Sequence, residues 1–242
     1  MADVVTIASF STPEFLDSVH RDAPRLAVFD CDGTLWSGDA GSAFMKWTIE
    51  TGLVSREVSD AIDVRYRMYL RGEVSELAIC GEMVQMYQGL RETEMRRAAK
   101  AFFERSIEAN IFPEMRDLVA ELRARGTEVW AVSSTNDWVI EEGVTRFGIG
   151  AEKVLAARVV VEEGVVTNRL IDVPTDDGKV EALARVGVKV PDAVFGNSVH
   201  DAAMLTVARK AYPVNASPDL AAFSAQHGWK VYYPKSVREP AK

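Results

Sequence analysis

The sequence predicts an α/β fold: a mostly parallel sheet with helices on both faces, interrupted after its first core strand by an all-helical insertion. Three observations carry this. Short continuous apolar runs at residues 26–29, 129–132 and 193–195 read as strands buried on both faces. Helical patterns alternate with the later runs. From about Gly41 to Asn110, in contrast, apolar residues recur only at three-to-four spacing.

Taken in order, a helix opens at Ser11 or Thr12 with Pro13 in its first turn. The first core strand covers residues 26–29. In the helical stretch, Phe44 and Trp47 share a face. Leu77, Cys80, Val84 and Tyr87 form a second stripe, and Met95, Ala98, Ala99, Phe102 and Phe103 a third, with Gly52, Gly72 and Gly89 between segments. Met115, Leu118, Val119 and Leu122 mark a helix stopped by Gly126. Residues 129–132 form a strand ending at Ser133-Ser134-Thr135-Asn136, and a helix follows to about Phe147. Residues 158–161 and 165–170 flank Glu162-Glu163-Gly164 as a hairpin. A short helix over 179–186 closes at Gly187. The strand 193–195 ends in Gly196-Asn197-Ser198, a helix spans about 200–208, and residues 212–214 make a last strand. The expected organisation is a core of residues 1–39 and 111–242 with a cap of residues 40–110.

In a parallel sheet, ligands bind beyond the carboxyl ends of the strands. Three predicted strands end at Asp30, Ser133 and Asn197, which puts these residues on one edge. The insertion leaves directly after the first strand and so covers that edge. Asp30 and Asp32 lie two residues apart, followed by the Gly33-Thr34 turn. One acid of such a pair can attack and ligate metal while the other hands over a proton, which is what phosphoryl transfer through an aspartyl-phosphate requires.

Composition narrows the function classes. The 242 residues are 48% hydrophobic and carry a net charge of −8. That argues against a nucleic-acid partner, which would need a basic patch. No run approaches the ~18 apolar residues of a membrane helix. Residues 1–10 lack a basic segment and include Asp3, a poor match to a secretory signal. Two cysteines, Cys31 and Cys80, make no disulfide framework and fit a cytoplasmic protein, monomeric or homodimeric. His20, His200 and His227 show no zinc spacing.

The ordered set Asp30-Cys31-Asp32-Gly33-Thr34, Ser133, Lys179 and Gly196-Asn197-Ser198-Val199-His200-Asp201 resembles the haloacid dehalogenase superfamily. The closest likeness is to its phosphoserine-phosphatase-like branch (subfamily IB), which has a small helical cap. The resemblance implies a Rossmann-like core and a phosphoric monoester hydrolase using Mg²⁺ on a small phosphorylated metabolite. It makes Asp30 the nucleophile, Asp32 the general acid and base, and Lys179 a fixed positive charge. Thr34, Ser133, Ser134 and Lys179 would bind phosphate; Asp30, Asp32, Asn197 and Asp201 would serve the metal.

The chain departs from the family at Asn197, where a metal-ligating Asp is usual. Three readings follow: a working enzyme with a weaker metal site, Asp201 as the carboxylate ligand directly or through water, or loss of turnover with binding kept. Asp32 argues against dehalogenation of 2-haloacids, whose enzymes lack that acid; a phosphotransferase stays open.

For the substrate, Asp39 stands nine residues after Asp30, where phosphoserine-hydrolysing relatives place an acid for the ammonium. The cap arginine those relatives use for the carboxylate aligns with Gly81, followed by Glu82. A carboxylate left unpaired in a closing pocket is costly, so a phospho-amine such as phosphocholine or phosphoethanolamine fits better than phosphoserine. Trp47, Tyr66 and Tyr69 are candidate rings for a quaternary ammonium. Arg65, Arg67 and Arg71 are candidates for an anionic tail, and His200 for contact with phosphate or tail.

Overall fold

The computed structural model describes residues 7–235. Residues 1–6, part of the segment on which the absence of a signal peptide was argued, lie outside them. The strands are β1 (Ser9–Phe10), β2 (Leu26–Phe29), β3 (Glu128–Asn136), β4 (Val154–Glu162), β5 (Val165–Asp172), β6 (Ala193–Gly196), β7 (Lys210–Pro213) and β8 (Val231–Tyr232). Helices α1 (Thr12–Asp22), α2 (Ala40–Glu50), α3 (Arg56–Leu70), α4 (Glu76–Gln85) and α5 (Glu92–Phe102) come from the first half of the chain. The second half supplies α6 (Pro113–Ala124), α7 (Asp137–Val144), α8 (Asp177–Arg185), α9 (Ala202–Val207) and α10 (Pro218–Gln226).

The main sheet has the order β5-β4-β3-β2-β6-β7, parallel except for β5, which folds back on β4 as the expected hairpin. In register, Phe29 pairs with Ala131 on one side and Phe195 on the other. The alternation of side chains along β2 builds two cores. Ala27 and Phe29 face a cluster with Phe15 and Val19 of α1 and Met115 and Leu118 of α6. Val28 faces the opposite cluster, with Leu183 of α8, Met204 and Leu205 of α9, and Leu220 of α10. A central strand covered on both faces is why its sequence reads as an unbroken apolar run.

The insertion has a small core of its own, Met45, Ile62, Val74 and Ile79. Its larger residues, among them Phe44, Val84, Tyr87 and Phe102, join the main core instead. Tyr87 meets Trp138 edge-on at 6.0 Å. The α4–α5 connection is also stitched to the hairpin by backbone bonds: Gly89 N–H donates to Val166 O at 2.8 Å and Val166 N–H to Leu90 O at 2.9 Å. The helical cap is thereby held over the carboxyl edge of the sheet.

Three features differ from expectation. β3 runs on to Asn136, beyond the expected strand of residues 129–132, with a register shift against β4 between Val132 and Asn136. The pair β1–β8 has two residues per strand, too short for any periodicity to register. Helix α10 was not anticipated, although Ser217 caps it through Leu220 N–H and Pro218 opens it.

Candidate active site

Asp30 follows the last residue of β2, and Asn197 the last residue of β6; Ser133 lies within the irregular end of β3. Parallel pairing of these strands brings the three to one edge, under α4. There a cavity of about 200 Å³ is lined by core residues Asp30, Asp32, Ser133, Ser134, Lys179, Asn197 and His200 together with Asp39, and by Tyr66, Tyr69 and Glu76 of the cap.

Its floor is an ion cluster. The Lys179 ammonium donates to Asp30 Oδ1 at 2.8 Å and to Asp201 Oδ1 at 2.5 Å. Asp30, Lys179 and Asp201 are 5%, 2% and 0% exposed. Asp201 Oδ2 accepts from the backbone N–H of Asn197 at 2.9 Å and of Ser198 at 3.0 Å. Thr34, fully buried, donates its hydroxyl to Asp30 Oδ2 at 2.9 Å. Burial pulls the Lys179 ammonium down, but Asp201 and Asp30 outweigh it and hold the group well above its ordinary range. Burial, then the Asp201 charge, pushes Asp30 up to about 7 against the pull of Lys179.

Asp32 is held differently. Its Oδ1 accepts from Trp36 Nε1 at 2.7 Å and from Ala40 N–H at 2.8 Å, and Oδ2 accepts from the Thr135 hydroxyl at 2.7 Å. Ala40 begins α2, so this acid is tied to the first turn of the cap. Burial, then the Asp39 charge, raises Asp32 to about 6 despite those three donors. A carboxyl raised this far above its ordinary range is closer to the pKa a proton-transfer group needs.

The expected residues thus divide into two groups. Asp30, Asp32, Asp39, Ser133, Ser134, Lys179, Asn197 and His200 line the cavity. Thr34 and Asp201 lie beneath it, their polar atoms committed to Asp30, Lys179 and the 197–198 backbone. Asp39 Oδ1 also caps α2 through Ser42 N–H at 2.9 Å. Ser133 Oγ accepts from Thr135 N–H at 3.1 Å, and Asn136 caps α7 through Val139 N–H.

Among the described residues no three His, Cys, Asp or Glu side chains gather as a metal site. The donor set does fit a lightly charged Mg²⁺ site, because that ion is commonly held by one or two carboxylates and keeps several waters. Here the carboxylate is Asp30 and the neutral donor Asn197. Gly33 makes room for Asn197: it sits at φ +75°, and a Cβ there would fall 1.8 Å from Asn197 Nδ2. The bare backbone lets the amide rest against the turn that follows Asp32.

A family model for haloacid dehalogenase-like hydrolases matches residues 27–206. The chain belongs to that family. A histidinol-phosphatase of Neisseria meningitidis is 24% identical over 218 residues, 86% of this chain and 97% of that protein. A Bordetella pertussis protein of unknown function superposes with a TM-score of 0.76 at 22% identity, covering 86% of this chain and 98% of its own. A substrate-bound phosphoserine phosphatase superposes with a TM-score of 0.60 at 18% identity, covering 88% and 94%. The fold is theirs, and the chain takes its place among the family's phosphoric monoester hydrolases, the enzyme class its motifs predict. Among the described residues no helix is long and apolar enough to cross a membrane.

The cap alignment needs correcting. The stripe of α4 that faces the cavity is Glu76, Ile79, Cys80, Met83 and Val84, continued by Tyr87. Gly81 is off it: a Cβ there would lie 3.1 Å from Leu170 Cδ1 and 3.7 Å from Val173 Cγ2, at the hairpin. Arg65, Arg67 and Arg71 pair with Glu82, Asp63 and Glu73 and do not line the cavity. Trp47 stacks on Phe44 in the cap; Tyr66 and Tyr69 do reach the cavity. Sequence reasoning missed Glu76, although a carboxylate on the same face as Ile79 and Met83 was a readable signal.

Two outcomes follow from this geometry. Gly81→Arg should lower the melting temperature by crowding Leu170 and leave the preference between carboxylate-bearing and carboxylate-free esters unchanged; a gain in that preference would return residue 81 to the pocket. Asp201→Asn leaves Lys179 with one buried partner, and urea denaturation should show a loss of about 3–5 kcal/mol.

Proposed function

We propose that this hydrolase cleaves small phosphomonoesters in the cytoplasm through an aspartyl-phosphate on Asp30, with Mg²⁺ as cofactor and a phospho-amine rather than phosphoserine as substrate. The observation that carries this is the Lys179 ammonium 2.8 Å from Asp30 on the floor of a cavity that Asp32 also lines. An Asp30 carboxylate oxygen attacks phosphorus. The leaving ester oxygen takes the proton of Asp32, which then removes a proton from the water that attacks the acyl-phosphate. Thr34 and Lys179 keep the Asp30 carboxylate oriented through both its oxygens. Lys179 and the hydroxyls of Ser133 and Ser134, which line the cavity, would meet the phosphoryl oxygens.

Charge supports the cofactor. Asp30, Asp32, Asp39, Glu76 and the underlying Asp201 face one lysine, so a phosphate dianion entering the cavity needs more positive charge than the chain supplies. Asp30 and Asn197 would hold Mg²⁺. When bound, it would screen the attacking carboxylate from the phosphate. An amide ligand brings no charge, so the affinity is modest. The substrate class is supported by the absence of any arginine from the cavity lining. It is also supported by the Neisseria relative, since the histidinol phosphate of its name is an amino-alcohol ester with no carboxylate.

Phosphate release from an aryl phosphate and a panel of small esters, with and without EDTA, tests the reading. Metal-dependent release is expected, falling at least about a thousandfold in Asp30→Asn. Asn197→Asp should tighten Mg²⁺ on the order of tenfold by calorimetry. A wild type that is silent, beside an active Asn197→Asp, would make the protein a phosphometabolite binder instead.

A further inference from the structure

Resting on the phosphatase reading above, we propose that Glu76 is the specificity-determining residue of this pocket. It selects phosphate esters that carry a primary ammonium, its carboxylate accepting an N–H from the substrate. Glu76 opens α4 and stands on the cap side of the cavity, opposite the Lys179 floor. Its side chain is 15% exposed. Oε1 has a weak donor, the Cys80 thiol at 3.5 Å. Oε2 is buried and has no hydrogen-bond partner. The nearest basic side chain is His200, its Nε2 at 3.8 Å, too long for a hydrogen bond, and that ring is paired through Nδ1 with Asp176 at 2.8 Å.

A carboxylate oxygen buried without a donor is unfavourable, and a ligand that brings the donor relieves it. No lysine or arginine of the cap faces the cavity to do so. The neighbours reinforce the polarity. Asp39 lines the same cavity; burial, then a hydrogen bond to the Glu76 carboxylate, pushes the Tyr69 hydroxyl upward, while Oε2 keeps no hydrogen-bond partner. Lys179 marks the floor as the phosphate end, where Mg²⁺ would supply the remaining positive charge, and Glu76 and Asp39 make the other end negative. A zwitterion with a phosphate at one end and an ammonium at the other matches both. The unfilled position on Oε2 separates the amines: a primary ammonium donates to it, whereas a quaternary ammonium has no N–H and leaves it unmet. A substrate carboxylate would meet Glu76 and Asp39 as like charges.

The test compares kcat/KM for phosphoethanolamine, phosphocholine and ethyl phosphate in wild type, Glu76→Gln and Glu76→Ala. Wild type should favour phosphoethanolamine over each of the others by about 10- to 100-fold, the range for one hydrogen bond to a charged group. In both variants the advantage over ethyl phosphate should fall toward unity. An advantage that survives in both variants, a wild type that favours phosphocholine, or a parallel loss on all three esters would overturn the assignment. If wild type releases phosphate from none of these esters nor from an aryl phosphate, the phosphatase reading fails. Calorimetry then judges Glu76 separately: tighter binding of phosphoethanolamine than of ethyl phosphate, lost in Glu76→Gln, supports it, and equal binding overturns it.

Discussion

Lys179 carries its ammonium to a point 2.8 Å from Asp30 and 2.5 Å from Asp201, with all three side chains 8% exposed or less, and the rest of the site is arranged around that contact. Two carboxylates at this depth would repel each other and would each lose hydration. One cation shared between them makes the arrangement tolerable: at an effective dielectric near 20, unit charges 4 Å apart attract by about 4 kcal/mol. The three residues come from different parts of the chain, namely the end of β2, the first turn of α8 and the turn after β6. The contact therefore sets the spacing of these pieces as well as their charge. Asp201 extends the constraint by binding the backbone of Asn197 and Ser198, so the loop opposite Asp30 is fixed by the cation that holds Asp30.

That cluster has a net negative charge, and this determines how Asn197 is read. An aspartate at 197 would add a further acid to a cavity that holds Asp30, Asp32, Asp39 and Glu76 against a single lysine. The amide lowers the charge to be neutralised before a phosphate enters, at the cost of a weaker hold on the cation. Asp201 is no substitute ligand without rearrangement, because Lys179 and two backbone N–H groups already occupy its oxygens. Its position suggests support of the Lys179–Asn197 frame in place of contact with metal.

How much of this was legible in the sequence depended on the period of the element involved. The strands β2, β3 and β6 are buried on both faces, so their apolar runs stood out and their last residues marked the edge where Asp30, Ser133 and Asn197 meet. The α4 helix was harder. Successive residues turn by 100°, so an alignment offset of two positions rotates a side chain by about 200° and sends it to the opposite face. Counting led to Gly81, which abuts Leu170; two residues on, Met83 faces the cavity. Thr34 and Asp201 illustrate a second limit. Sequence places a residue at a strand end or in a turn, but whether its polar atoms face the ligand or its neighbours is decided by packing.

On the proposed assignment, the roof of the pocket is what lets a scaffold shared with phosphoserine phosphatases serve a different tail. The floor is fixed by chemistry: any phosphate ester needs the nucleophile, the acid and the ammonium in that order. The α4 helix has no such duty, and a single face of it, read at positions 76, 79, 80 and 83, presents one acid among apolar and weakly polar side chains. In a closed and partly desolvated space one charged group is enough to set a preference, because an unmatched partner loses its hydration with nothing in return. On the proposed assignment, rejection of a carboxylate and acceptance of an ammonium have one physical cause, the buried Glu76 oxygen. The backbone bonds of Gly89 and Leu90 to Val166 tie the far end of that helix to the hairpin, so the selectivity proposed for the cap depends on how firmly it is docked.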